Sequence, residues 1–421
     1  MQNSSEASLI GNLDRTWVSS IKQKLLLKPK ILKDSSGSSS CCIHRVPQFF
    51  HQRDQMAYTP QIISIGPLHH GKTSLQAMEE HKWKYLRSVL SRAGNRRLQL
   101  YLMAVKELEE SARRCYSETI DLDSNEFVEM LVVDGFFIIE LICKATGLIN
   151  VDGCDPIFSM RWILPKLKSD LLMLENQMPF FLLQRLFDLM RDPGHESISL
   201  AHLALEFFNN SVPKNEKTLE KITDLKGRHL LHLLHLSLLP HVGVGEEKKR
   251  DDCNPPPKMI YSASELREAG IKFKKCEEVD SFLDIKFRRR GLEIPPLSIQ
   301  DCTKTLLLNL IAFEQCYGDC TACVTAYAAF MKCIVSSGKD AAILRRSRII
   351  ENWLGGDDEM AHFFNEIGRE VSIVADVDGF HLGEVIRDVD RYCRSDSQAQ
   401  RSRLKHKYLK DPWPILSCCL A

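Results

Sequence analysis

Apolar residues recur at intervals of three and four along most of this 421-residue chain, and this period places them on one face of an α-helix. After Leu75, apolar side chains and the stem of Lys82 follow the period as far as Gly94, which can end a helix in the left-handed conformation. The chain is therefore predicted to be a mostly α, multi-helix globular body. The same period predicts helices at residues 98–116, 125–145, 163–175, 179–190, 198–209, 227–239, 303–316, 321–336 and 357–367.

The helix predicted at 125–145 has signals at both ends. Asp123 and Glu126 have the spacing of a capping box, in which each side chain binds the backbone N–H of the other residue. Gly147 follows the predicted end and suits a C-terminal cap. Both ends of this helix are therefore predicted from local chemistry as well as from its period.

A different period appears in the second half of the chain. The segments "IKFKK" from Ile271, "SFLDIKF" from Ser281 and "GLEIPP" from Gly291 alternate apolar with polar residues. Alternation with a period of two is typical of strands that have one buried face. We expect these segments to form a small antiparallel β-sheet that packs on the helices.

Two stretches rich in polar residues divide the chain. Residues 1–42 are predicted to be a flexible N-terminal segment with one candidate helix at 9–27, and the folded body is predicted to span residues 43–413. Within the body, residues 243–257 are first charged and then rich in proline, which is typical of a linker between a helical half, 43–242, and a second half, 258–413, that contains the sheet. Residues 414–421 form a short apolar tail.

Composition narrows the classes of partner and compartment. The chain has 56 basic and 55 acidic residues and a formal net charge of +1, so it lacks the positive field that attracts nucleic acid. We expect no nucleic-acid partner. Its 15 cysteines occur in a long chain whose first residues are polar, and this favours free thiols in a reducing compartment over a disulfide framework.

One short motif raises the question of nucleotide binding. Gly66 to Thr73 fits the pattern G-x-x-x-x-G-K-[ST], in which backbone N–H groups cradle phosphates and a lysine reaches them. Asp134, in "MLVVDG", resembles the aspartate that holds magnesium in such proteins, but its segment has a helical period. His69 and His70 stand where the cradle needs small residues. A turn before a helix is the favoured interpretation, with no cofactor, and a nucleotide site remains the alternative.

The segment "LENQMPFF" places three polar residues inside an apolar stretch. Pro179 disfavours helical geometry at Met178, so one helix is predicted to end here and another to begin. Glu175, Asn176 and Gln177 are then expected to bind the unpaired backbone groups at a buried joint. A catalytic role for Glu175 is the alternative.

Two groups of residues have spacings that suit metal ligands. His229, His232 and His235 recur at every third position among leucines, and we expect them to form a mostly solvated polar face. The cysteines of "CYGDCTAC" and the one that follows are expected to be packing residues on helices. Metal binding stays the alternative for both groups. These cysteines are Cys316, Cys320, Cys323 and Cys333.

Several blocks of the sequence, in this order, resemble the signature blocks of the plant family called domain of unknown function 247. They include "IHRVPQFF", "YTPQIISIGPLHHGKTSLQAMEEHKWKYL", "DGFFIIEL", "LKSDLLMLENQMPFF", "SASELREAGIKFKK", "LLLNLIAFEQC" and "FMKCIVSSGKDAAIL". The resemblance implies that Thr73 matches the nucleotide motif by chance, because this hydroxyl is outside the family's pattern. It implies no metal and no known activity. Some grass members are implicated in self-incompatibility, a recognition event between pollen and stigma.

The resemblance also bears on localisation, because many members carry a C-terminal membrane helix. The tail "YLKDPWPILSCCLA" is similar to the segment that leads into that helix, and no run of 18 apolar residues occurs in this chain. We therefore expect a cytoplasmic protein or one that is peripheral to a membrane. Acylation of Cys418 and Cys419 is an open alternative.

The leading hypothesis is a non-enzymatic recognition or signalling module that binds a protein partner. The alternative is an enzyme whose site assembles residues that are distant in sequence, with His69, His70 and Glu175 as the candidates. A pocket lined by two of these residues with perturbed ionisation would favour the enzyme. Their use in core hydrogen bonds would favour the binding module.

Overall fold

The computed structural model describes residues 16, 19–21, 41–93, 97–191, 198–209, 225–239, 261–276, 281–353, 355–370 and 382–394. These residues are mostly α-helical, and the predicted fold class is confirmed. Of the helix predicted at 9–27, residues 16 and 19–21 are described, and they are helical. The predicted linker at 243–257 and the tail with Cys418 and Cys419 lie outside the described residues.

The first half of the body is built from helices that pack around one long buried helix, α6. Its apolar period is almost continuous, and α3, α4 and α9 all pack against it. A 3₁₀ helix, Thr73–Met78, precedes α3. The helices are α1 (Gln48–His51), α2 (Gln55–Tyr58), α3 (Glu79–Ala93), α4 (Arg97–Glu107), α5 (Glu109–Arg114), α6 (Ser124–Ala145), α7 (Pro156–Ser159), α8 (Ile163–Leu171), α9 (Phe180–Met190), α10 (Leu200–Phe207) and α11 (Leu230–Leu238).

The ends of α6 follow the sequence prediction. The Asp123 side chain accepts the N–H groups of Asn125 and Glu126, and the Glu126 carboxylate accepts the N–H of Asp123. The predicted capping box is therefore confirmed. Asp134 lies within this helix, as its helical period indicates.

The second half combines five short strands with further helices. Three of these helices, α12, α15 and α17, were not predicted from the sequence. The elements are α12 (Ala263–Glu268), β1 (Lys272–Lys275), β2 (Lys286–Arg288), β3 (Gly291–Ile294), β4 (Leu297–Ile299), α13 (Asp301–Cys316), α14 (Cys323–Ile334), α15 (Gly338–Arg346), β5 (Ile350–Asn352), α16 (Asp357–Ile367) and α17 (Gly383–Arg394).

The strands form a mixed sheet and a separate parallel pair, so the prediction of an antiparallel sheet is only partly right. β2 and β3 are antiparallel and joined by a tight turn in which Arg289 and Arg290 both have positive φ. β3 lies between β1 and β2, and it runs parallel to β1. β4 pairs with β5, also in parallel, and the sequence pattern did not indicate this pair.

Two predicted helices have different bounds in the structure. The helix predicted at 98–116 is interrupted at Leu108, which separates α4 from α5. The helix predicted at 163–175 ends at Leu171, so "LENQMP" forms a longer connection to α9 than expected. Among the described helices, none combines the length and the apolar character needed to cross a membrane.

Candidate functional site

The carboxylate of Glu175 lies at the centre of a buried polar cluster. Its Oε1 accepts the backbone N–H of Val46 and lies 2.8 Å from Nε2 of His51, and its Oε2 accepts a bond of 3.0 Å from Arg45. His69 Nε2 lies 3.2 Å from Oε2, a close contact without regular hydrogen-bond geometry. Burial alone would raise the pKa of Glu175, but these groups outweigh it and hold the pKa at about 2.

His69 links this carboxylate to the surface. Its ring is buried, and its Nδ1 lies 2.6 Å from Nζ of Lys72. Burial lowers the pKa of His69, although Glu175 opposes the shift, and burial also lowers the pKa of Lys72. A neutral imidazole can therefore accept a hydrogen bond from the Lys72 ammonium. His70, the other candidate histidine of the motif, is exposed and lies outside this arrangement.

Residues 61–66 run between these groups as a segment that is buried from Ile63 onward and that is held by side chains. Five of its N–H groups donate to buried carboxylate or amide oxygens, which satisfy the backbone as a neighbouring strand would. Hydrogen bonds from its backbone to side-chain oxygens thus hold this segment in place. The bonds, of 2.7–3.1 Å, run from Gln61, Ile62 and Ile63 to Asp170, from Ile65 to Asn176, and from Gly66 to Asp134.

A fully buried lysine completes the support of this segment. The Lys82 ammonium donates to the Ser64 carbonyl at 2.5 Å and lies 2.7 Å from Asp134 and 2.6 Å from Glu79. Burial lowers the pKa of Lys82, but the attraction of the two carboxylates outweighs this effect, and the net shift is upward. Lys82 therefore supports the segment through its buried ammonium, whereas the sequence pattern indicated a packing role only for its apolar stem.

Asn176 and Gln177 bind backbone groups at the joint between α8 and α9, as predicted. The Asn176 amide accepts from Ile65 and donates to the carbonyls of Ile63 and Asp170. The Gln177 amide donates to the carbonyls of Leu171 and Met173, near the end of α8, and accepts the N–H of Leu231, in the first turn of α11. Both side chains are buried and fully used by the core.

The glycine-rich motif has a geometry unlike that of a phosphate-binding loop. The Gly66 N–H, which would face a phosphate, donates to Asp134, and a Cβ at Gly66 would lie 2.5 Å from the Gln177 carbonyl oxygen. Gly66 also has a φ of 69°, which favours glycine. The motif is therefore explained by close backbone packing, and its lysine is directed to His69.

We expect Lys72→Ala to leave folding intact, and ATP with magnesium to leave the melting temperature of the wild-type protein unchanged. A ligand stabilises a protein only if it binds the native state, and the Gly66 N–H is already bonded to a carboxylate. Differential scanning fluorimetry with millimolar ATP measures this. A rise of several degrees in the wild type that Lys72→Ala abolishes would restore the nucleotide hypothesis.

His229, at the N-cap of α11, and His232 and His235 within the helix are all buried, so the prediction of a solvated polar face is wrong. His229 Nε2 lies 3.1 Å from the Cys42 carbonyl oxygen, and His235 Nε2 lies 2.7 Å from Oε1 of Glu314. Burial lowers the pKa of His229 far below its usual value and that of His232 to about 4. His229 and His232 are therefore neutral at neutral pH, and all three histidines serve the core through hydrogen bonds.

The cysteines near the end of α13 are separate packing residues. Burial raises the pKa of Cys316 to about 11 and that of Cys320 to about 12, which keeps both thiols protonated at neutral pH. The Cys320 thiol donates to the Tyr317 carbonyl. Across the described part of the chain, no three histidine, cysteine or acidic side chains converge as metal ligands.

The structure thus brings Glu175, His69 and Lys72 together, and it adds Arg45 and His51, which no sequence signal had indicated. The contact between Lys72 and His69 suits proton exchange at the surface. Glu175, in contrast, is bonded to Arg45, Val46 and His51 and is also in contact with His69, and it is therefore a poor general base.

Comparisons with known proteins agree with the signature blocks. The pattern of a family described as plant protein of unknown function, DUF247, matches residues 43–421. The chain is similar to UPF0481 protein At3g47200 of Arabidopsis thaliana, with 34% identity over 93% of this chain and 85% of the relative. It is also similar to the putative UPF0481 protein At3g02645 of the same plant, with 20% identity over 95% of this chain and 91% of the relative.

No solved structure matches the chain at a significant level. The match to the family pattern covers the whole described body from Ile43 onward, including the Glu175 cluster and the segment at 61–66. This protein belongs to the plant family of unknown function called domain of unknown function 247.

Proposed function

We propose that this protein is a non-enzymatic recognition or signalling module that binds a protein partner through the corner formed by α1 and α2, residues 48–58. The observation that carries the proposal is the exposure of two large apolar side chains on a firmly held backbone. Phe49 is 53% exposed and Met56 is 70% exposed. Both lie on this short corner.

The corner is fixed to the body on several sides. His51 contacts Glu175 at 2.8 Å, Asp54 forms an ion pair of 2.7 Å with Lys304 of α13, and the Asn309 amide donates to the Ala57 carbonyl at 2.7 Å. Two residues of the corner itself, Phe50 and Tyr58, are buried in the core. Its backbone is therefore ordered before any partner arrives.

The ordered backbone of the corner matters for the affinity of a complex. Apolar side chains near the centre of an interface contribute most of its affinity when a rigid scaffold presents them, because little entropy is lost on binding. The buried polar cluster would then serve recognition indirectly. Glu175 lies at the joint after α8, and it contacts His51 of the corner as well as Val46 and Arg45, which precede the corner.

The hydrogen bonds of the catalytic candidate Glu175 and of its neighbours Asn176 and Gln177 support the same choice. Glu175 is occupied by backbone and side-chain donors, and Asn176 and Gln177 bind backbone groups. None of the three lines the cavity of about 250 Å³ between α8 and the start of α13. Their roles favour a structural network over a reaction centre.

We expect the double variant Phe49→Ser and Met56→Ser to lose proteins that the wild-type protein captures from plant tissue. Truncating two central apolar anchors should weaken a specific complex by at least about 2 kcal/mol, or roughly thirtyfold. Affinity purification with quantitative mass spectrometry compares the captured proteins. Circular dichroism and thermal melting verify that the double variant is folded.

Met103→Ser is the matched control, because Met103 is 64% exposed but lies on α4, which packs on α6 and α9. This variant should retain the partners of the wild type. If the corner variant captures the same proteins in the same amounts as the wild type, the corner is not the recognition surface.

A further inference from the structure

A cavity of about 250 Å³ lies between α8 and the start of α13. No residue of the Glu175 cluster lines it. Its lining consists of four apolar and four more polar residues, and most of the lining surface is apolar. This combination is typical of small-molecule sites, in which an apolar wall binds the body of the ligand and a few polar groups orient it. The lining residues are Leu164, Pro165, Leu172 and Leu306 on the apolar side, and Lys168, Ser169, Gln300 and Cys302 on the polar side.

Lys168 gives this cavity its charge. Its ammonium lies 4.6 Å from the centroid of the Phe207 ring, and no carboxylate among the described residues forms an ion pair with it. Burial lowers the pKa of Lys168. A partly buried ammonium without a counter-ion loses hydration that a bound anion would replace.

The other polar groups suit a ligand with one negative charge. Ser169 and Gln300 supply a hydroxyl and an amide within the lining, and both groups can donate to a second oxygen. Asp301 follows Gln300 and is exposed at the same end of α13, where its charge opposes a second negative charge. A carboxylate therefore fits the charges here better than a phosphate dianion.

We propose that this cavity is a binding site for a small monocarboxylate with a compact apolar body, whose carboxylate pairs with Lys168 while its body packs on the leucines of α8 and α13. The second carboxylate oxygen of the ligand accepts hydrogen bonds from Ser169 and Gln300 on the polar side of the cavity. This function is independent of the corner at residues 48–58, so each proposal can fail without the other.

The test uses 3-phenylpropanoate and its neutral amide, 3-phenylpropanamide, which have nearly the same shape. Isothermal titration calorimetry of the 421-residue protein should show saturable binding of the acid, about tenfold or more tighter than binding of the amide. Lys168→Met should remove this preference, since methionine keeps the apolar stem and loses the charge. Inorganic phosphate should bind more weakly than the acid.

Lys84→Met is the control, because Lys84 is an exposed lysine on α3, a helix that contributes no residue to the lining of the cavity. It should keep the wild-type preference for the acid. Leu306→Trp should fill the cavity and weaken the acid and the amide alike. Equal affinity for acid and amide, no saturable binding of the acid by the wild type, or an unchanged preference in folded Lys168→Met would each overturn the proposal.

Discussion

Asn176→Leu should lower the free energy of unfolding by about 4 kcal/mol, because three buried backbone groups lose their partner at once. The side chain is 1% exposed, and it binds the N–H of Ile65 and the carbonyls of Ile63 and Asp170. Leucine has a similar volume and offers no hydrogen bond. Urea unfolding at neutral pH, followed by circular dichroism, measures the change.

Asn125→Leu is the control for this substitution. Asn125 is exposed in the first turn of α6, and its change should cost less than about 1 kcal/mol. If Asn176→Leu were as stable as this control, residues 61–66 would not depend on the amide. The support that we assign to the polar joint would then be wrong.

The dependence of residues 61–66 on side chains explains a limit of the sequence prediction. The apolar "QIISI" precedes a glycine motif, as a strand precedes a phosphate-binding loop. Its N–H groups instead meet Asp170 and Asn176, more than 100 positions later in the chain. The partner of an extended segment is a tertiary property, which local periodicity does not contain.

Long helices were predictable because their signals are local. α6 carries its caps and its apolar period within about two dozen residues, and Pro179 marks the start of α9 from its ring geometry alone. Interruptions of helices were harder to predict, since the break at Leu108 between α4 and α5 has no proline or glycine beside it. Predicted bounds failed where packing, rather than the local sequence, ends the helix.

Buried polar residues were the main source of error. His229, His232 and His235 resemble a polar face in sequence, but they are buried where α11 packs on α13, with His235 bonded to Glu314. Lys82 lies on the apolar stripe of α3, and that position was the one signal that its ammonium is buried. Polar residues on an apolar stripe can indicate buried networks, although their partners cannot be read locally.

The Glu175 cluster could be predicted in part. The position of Glu175 in an apolar stretch indicated burial, and His69 was a candidate from its motif. Arg45 and His51 have no such signal, because each is an ordinary polar residue near the start of the body. Their convergence depends on the packing of α1 against the joint that follows α8.

Glu175→Gln should lower the free energy of unfolding at pH 7 by about 3 kcal/mol, and this difference should shrink as the solution becomes acidic. The folded state holds the pKa of Glu175 at about 2, against a usual value of 4.5. A carboxylate whose folded pKa is depressed stabilises the protein above its unfolded pKa, and it loses that contribution as the pH falls toward the folded pKa. The relevant window therefore runs from about pH 5 down to about pH 2.

The measurement is urea unfolding of both proteins at a series of pH values between 7 and about 3.5, where the difference should have fallen by roughly 1.5 kcal/mol. Other carboxylates titrate in both proteins, so the difference between them isolates Glu175. Glu118→Gln is the matched control, because Glu118 pairs with the same arginine, Arg45, at 3.0 Å but is 46% exposed. Its effect should stay below about 1 kcal/mol. A large loss for Glu175→Gln that does not change with pH would mean that shape and hydrogen-bond number, rather than the buried charge, hold the cluster together.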